Sequence, residues 1–326
     1  MIRLPRLCLA TALVFAASAA SVLLAQQPAQ ETLQQRLTAP AASNNPPGVP
    51  LGTANSDLGE IGVVPTYTKP ETITLSTSQQ FFYTTNVFYT NANTISSLAY
   101  LGNYTLSYVP YSLQVWTPRI TAQYNMVRYG NAAEADFNNE NLSLSSEYVF
   151  SDDHKWSWTA DINLGRYTDA HADGNEFYEE VVYDNQINWT QQLVKSTPLY
   201  LIAGYDIAYH QANPALFDRL DNTLSLSFSY NPIPQITIAT YVRPGVRNYF
   251  VNGGPVVNNG VFSTTSNQNN RVDFNLSEGL DVTWQPCKYV SISADLSHTN
   301  DYSNNGGLSY NDTIPGLSLT GTLKFW

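Results

Sequence analysis

The feature that most constrains this chain is a two-residue alternation that persists from about residue 79 to the end. Over residues 317–326, apolar Leu317, Leu319, Leu323 and Phe325 alternate with polar Ser318, Thr320, Thr322 and Lys324. Residues 156–165 place Trp156, Trp158, Ala160, Ile162 and Leu164 on one face. Ser157, Thr159, Asp161, Asn163 and Gly165 fall on the other. Leu224, Leu226, Phe228 and Tyr230 alternate with serines and a threonine in the same way. Period two is the signature of a β-strand with unlike faces. The last strand is expected to have its edge paired, because a bare Leu/Phe edge invites association.

The alternation resolves into twelve segments, near 79–90, 97–109, 113–128, 140–150, 156–167, 178–194, 199–212, 221–231, 235–247, 271–285, 288–299 and 316–326. Glu278 is out of phase in the tenth, which suggests a bulge there. Short connections, such as Pro232 to Pro234, alternate with long polar ones at 129–139, 168–177, 213–220, 248–270 and 300–315. Several segments reach ten residues or more, the length of a tilted membrane strand. Aromatics gather at strand ends: Tyr148, Phe150, Trp156 and Trp158 at one turn, Trp284 and Tyr289 at another.

Composition narrows the class. Only 13% of residues are charged, yet the chain carries 22 Tyr, 13 Phe and 6 Trp; ordinary soluble domains are about 25% charged. Met1 to Ala25 reads as a secretory signal, with Arg3 and Arg6 before a short apolar core and small residues after it. Cleavage after Ala25 is expected, with Ala19 and Ala20 as alternatives. Cys8 would leave with that peptide, so Cys287 remains alone and no intrachain disulfide is expected. Loss of the two arginines leaves 13 bases against 26 acids, a net charge of −13. That balance argues against nucleic acid as a partner. Residues 26–75 include the proline-rich run Ser43 to Pro50 and read as a periplasmic linker; the alternative is a small plug, with Ile61 to Val64 entering the barrel.

The terminal alternation, the final aromatic (Trp326, one step out of phase), the strand lengths and the aromatic positions resemble those of bacterial outer-membrane β-barrel proteins. The resemblance covers residues 79–326, within a barrel domain expected over 76–326, and does not select a subfamily. It implies an all-β, transmembrane, antiparallel up-and-down barrel of about twelve strands with periplasmic N- and C-termini. It also implies export to the outer membrane, contact with outer-membrane lipid and lipopolysaccharide, and folding by the barrel assembly machinery. Phe325 and Trp326 would belong to the assembly signal.

No phosphate loop, serine elbow or zinc signature occurs, and no cofactor or metal is expected. Twelve-stranded outer-membrane phospholipases use a His and a Ser one residue apart, but no His-x-Ser is present at His154, His171, His210 or His298. Asp169, His171, Asp173 and Glu176 could hold a weak ion- or lipopolysaccharide-bridging site in one loop. Carrying each strand's parity through places Glu147, Asp161, Asp184, Asp206, Asp273, Asp281 and Asp295 inward with Arg119, Arg243, Arg247 and Lys324. Strands about 4.8 Å apart and tilted about 40° make a twelve-stranded barrel roughly 24 Å across. The first expectation is therefore a porin-like channel for small polar solutes. The others are a non-conducting structural barrel whose long loops meet a surface or envelope protein, and an outer-membrane hydrolase.

Overall fold

The computed structural model describes residues 72–87, 94–111, 115–150, 156–170, 176–194, 197–213, 215–252, 255–258, 261–264, 270–304 and 309–325. Twelve strands close into one antiparallel barrel: β1 (Ile73–Thr84), β2 (Ser97–Tyr108), β3 (Trp116–Tyr129), β4 (Phe137–Val149), β5 (Trp156–Asp169), β6 (Glu176–Val194), β7 (Thr197–Asn213), β8 (Arg219–Ile233), β9 (Ile236–Asn252), β12 (Asn270–Cys287), β13 (Val290–Ser303) and β14 (Tyr310–Phe325). Two short strands, β10 (Pro255–Asn258) and β11 (Val261–Thr264), pair as a hairpin between β9 and β12. Each barrel strand pairs with its chain neighbour, and β14 closes onto β1 from Ile73↔Phe325 to Phe82↔Gly316. The terminal edge is thus paired on both sides, and the ladder has no open edge to expose to lipid.

Polarity is inverted relative to a soluble protein. The outward positions expose Leu106, Ile120, Leu142, Leu144, Ile162, Leu164, Leu224, Leu226, Leu280, Leu296, Leu317 and Leu323. A soluble monomer rarely exposes a contiguous apolar patch above a few hundred Å²; here the apolar surface rings the molecule. Toward the end that carries Ile73 and Phe325, the ring is bordered by Tyr108, Tyr148, Phe150, Trp156, Trp158 and Trp284; toward the other it meets Tyr83, Tyr183, Tyr209 and Phe250. Two aromatic girdles around an apolar band are the surface of a transmembrane barrel. Among the described residues no helix is long and apolar enough to cross a membrane.

All twelve expected strands form, with three corrections. β1 runs Ile73–Thr84 and not 79–90, because its outward residues Phe81 and Tyr83 end it at the upper girdle. β14 begins at Tyr310 and not 316, since Thr313 to Pro315 keep pairing with β13. Glu278 is not at a bulge. The register there is unbroken, Glu278 opposing His298 and Val242, and it faces outward among Leu276 and Leu280. The shifts in β12 lie instead near its ends, between Trp284 and Cys287 and between Asn270 and Val272. The leader at 1–25, most of the linker, the segment Ile61 to Val64, and Trp326 lie outside the described residues.

Candidate functional site: the lumen

The register places all eleven residues singled out for the lumen on the inner face: Arg119, Glu147, Asp161, Asp184, Asp206, Arg243, Arg247, Asp273, Asp281, Asp295 and Lys324. They do not form one group. Arg119, Glu147 and Lys324 lie toward the terminus end, and Arg247 and Asp273 toward the loop end.

Between them is a belt of carboxylates. Asp161 directly opposes Asp184, and Asp206 lies diagonal to Asp184 on the next strand. On the far wall Asp281 directly opposes Asp295. Paired rows climb around a tilted barrel, and following them brings these five aspartates to about one height. Ser143 donates to Asp161 at 3.5 Å, Thr283 to Asp281 at 2.8 Å and Gln80 Nε2 to Asp295 at 3.0 Å. Arg243, over the Tyr241 ring at 4.6 Å, is the base that acts on Asp206. Room for the crossing side chains comes from small residues. At Gly279 a Cβ would come within 2.7 Å of the Tyr241 ring, and at Gly316 within 2.6 Å of Asp295 Oδ1.

The loop end differs. On the side of β1 to β6 the lumen is filled by Phe82, Ala99, Val127, Tyr129, Phe137, Tyr167 and Tyr178, with Ile314 of β14. Three connections add to it. Val87 follows β1, Ala132 and Ala135 flank and form a 3-10 turn after β3, and Phe217 ends a 3-10 turn after β7. Aspartates brace two of these turns: Asp136 accepts the Tyr129 N–H at 2.6 Å, and Asp218 the Ala212 N–H at 2.6 Å. The ring of Phe217 meets that of Tyr178 edge-on at 5.3 Å.

On the side of β7 to β12 the same level is ionic. Arg247 directly opposes Asp221 on one neighbour and Asp273 on the other. Above that row come Arg219 and Tyr249, directly opposed, with Arg271 over the Tyr249 ring at 4.6 Å. Arg271 binds Asp273 tightly, at 2.9 Å from Nε and 2.5 Å from Nη2. His210 bridges two carboxylates, with Nδ1 3.0 Å from Glu180 and Nε2 3.5 Å from Asp221. Glu180 also accepts the hydroxyls of Tyr167 and Tyr178, at 3.1 and 3.0 Å, so it joins the apolar wall to the ionic one.

The sequence reading missed Glu180, His210, Arg219, Asp221, Arg271, Asp301 and Asp312 as inner residues. The same parity would have found Glu180, His210, Asp221 and Arg271 within the expected strands and, extended into the strand ends, Arg219, Asp301 and Asp312. Of the loop set, Asp169 is buried on the inner face, His171 and Asp173 lie outside the described residues, and Glu176 begins β6. His154 also lies outside them. His298 faces outward and contacts the Thr313 hydroxyl at 2.8 Å; Ser297 has the opposite parity, so the two cannot form a catalytic pair on one face.

No family model matches the chain, and no curated protein matches its sequence. Solved structures do. A COG4313 outer membrane channel from Pseudomonas putida F1 is similar over 78% of this chain and 96% of its own, at 15% identity and a TM-score of 0.52. The translocator domain of the autotransporter NalP from Neisseria meningitidis covers 90% of this chain and 99% of its own, at 12% identity and TM-score 0.42. LpxR from Salmonella typhimurium covers 78% and 100%, at 9% identity and TM-score 0.43. The first likeness shows a shared barrel fold; the other two are too distant to carry an argument.

Proposed function

We propose that this outer-membrane-type barrel is a porin-like channel for small polar solutes with a weak preference for cations. The observation that carries the reading is the carboxylate belt. A barrel serving only as a scaffold gains nothing from opposing Asp161 to Asp184 and Asp281 to Asp295, since adjacent like charges in a low-dielectric interior are destabilising. A hydrated lumen relieves that cost, and rings of carboxylates favour cations. On this reading the termini are periplasmic, the leader directs export, and the upper girdle meets lipopolysaccharide after insertion by the assembly machinery.

Planar-bilayer recording of the purified barrel tests it. A salt gradient should give a reversal potential of cationic sign at low salt. It should fade as the Debye length shrinks from about 30 Å at 0.01 M to about 3 Å at 1 M. Asp161→Asn with Asp206→Asn should move it toward zero. Silence of the native barrel, and of the barrel lacking residues 26–71, would favour the structural alternative.

A further inference from the structure

The outer face carries a feature that the lumen does not explain. Along the β12–β13 ladder, four consecutive outward rungs are Leu280–Leu296, Glu278–His298, Leu276–Asn300 and Phe274–Tyr302. Leu280, Leu296, Phe274 and Tyr302 are exposed, and Glu278 is exposed between the two leucines of its own strand. Charged groups that face lipid are costly and are kept where a partner meets them.

Other outward polar groups find that partner within the chain. Glu140 and Arg166 oppose each other on β4 and β5, with 4.0 Å between their charged atoms. Gln79 donates to the Thr77 hydroxyl at 3.0 Å and accepts the hydroxyl of Tyr100. Glu278 differs. Its direct neighbours are Val242 and His298, and among the described residues no base forms an ion pair with it. The His298 ring is engaged on its other side, with Nδ1 2.8 Å from the hydroxyl of Thr313, its opposite number on β14. When Nδ1 accepts that hydroxyl, Nε2 carries the ring proton and is left as a donor. One outward rung thus holds an unmet acceptor beside an unmet donor.

We propose that the β12–β13 outer face is a homodimer interface. A second copy of this chain sets its His298 against Glu278 and its Glu278 against His298. A two-fold axis along the membrane normal, passing between the two strands, makes the patch complementary to itself. The same axis lays Leu280 against Leu296, and Phe274 against Tyr302, of the second copy, so apolar rungs flank the polar one. A cationic lipid headgroup would satisfy the carboxylate and leave the imidazole; a second copy meets both. This interface depends on the membrane barrel and not on conduction.

Energy transfer between labelled copies in phosphatidylcholine vesicles, over a range of protein-to-lipid ratios, tests it. Each variant is first checked for folding by its heat-shift on unboiled gels. The native barrel should dimerise. Glu278→Gln should weaken the dimer about tenfold, from two symmetric contacts of the size that polar pairs have in a bilayer. Exchanging the two residues, Glu278→His with His298→Glu, should restore it, because the symmetric pairing is kept. In a Cys287→Ser background, Leu280→Cys copies mixed with Leu296→Cys copies should form disulfide dimers under oxidant. Leu142→Cys copies should not, since β4 lies half-way round the barrel from β12. If Glu278→Gln does not fold, the cysteine pair still reads the contact. A native barrel that stays monomeric at every ratio overturns the proposal. So do dimers that ignore Glu278→Gln or cross-link through Leu142→Cys. Single-barrel conductance is untouched by any of these outcomes, so the channel reading fails or stands separately.

Discussion

Strands β4, β5 and β6 each pass through two different interiors. On β5, Tyr167 is sealed in the apolar cluster at the loop end while Asp161, six residues lower, sits in the carboxylate belt. On β6 the same contrast separates Tyr178 from Asp184, and on β4 Phe137 from Asn141. Nothing in strand geometry distinguishes these levels, since every one of these side chains has inward parity. The difference is where the connections go. At the loop end, the turns after β1, β3 and β7 fold back over the lumen with Val87, Ala132, Ala135 and Phe217, and give the inward rings something apolar to pack against. At mid-height no chain crosses among the described residues, and the inward side chains are those that water or each other can satisfy. One end of the lumen has a packed core; the middle has a wall.

That contrast can be broken experimentally, and the largest effect belongs to the packed end. Phe137, 1% exposed, should cost about 3–5 kcal/mol when truncated to Ala. The loss should appear as a lower temperature for the gel heat-shift. A small effect would mean that the cluster is not a close-packed core. Next comes the outer face. Leu226→Arg should cost about 2–4 kcal/mol near mid-bilayer, while inward Ser227→Arg should be tolerated or alter conductance. Equal, severe losses at both would mean that strand β8 is buried on both faces, against the barrel. Gly279→Ala is expected to cost about 1–3 kcal/mol by displacing the Tyr241 ring that crosses it, a smaller loss because the ring can shift. The smallest effect is at the surface. Glu140→Gln removes a 4.0 Å contact with Arg166, both more than half exposed, and should change stability by under about 1 kcal/mol. In the belt, by contrast, Asp161→Asn should leave stability near native and appear only in the reversal potential.

Most of the barrel was legible because period two is local. Reading Leu224, Leu226 and Phe228 against Ser225, Ser227 and Ser229 needs no knowledge of what lies across the sheet. The same parity carried Asp161, Asp184, Asp206 and Asp281 to the inner face. It stumbled where an outward polar residue broke the pattern: Glu278 looked like a bulge because a lipid-facing glutamate was not expected, yet its strand pairs without interruption. It also stopped short at strand ends, where Arg219 carries the same parity as its neighbours but fell in the segment read as a loop.

Strand number, the inward and outward sets and the inverted polarity follow from the amino-acid sequence alone, because each depends only on spacing along one strand. Which inner residues share a height does not. Asp281 meets Asp295, and Arg219 meets Tyr249, only through the register of separate strands around a closed and tilted barrel. The apolar seal depends on where the connections fold, and no periodicity records that Phe217 turns back to Tyr178. The barrel wall is a local property of the chain; the site inside it is a property of closure, which brings together residues that one-dimensional spacing keeps apart.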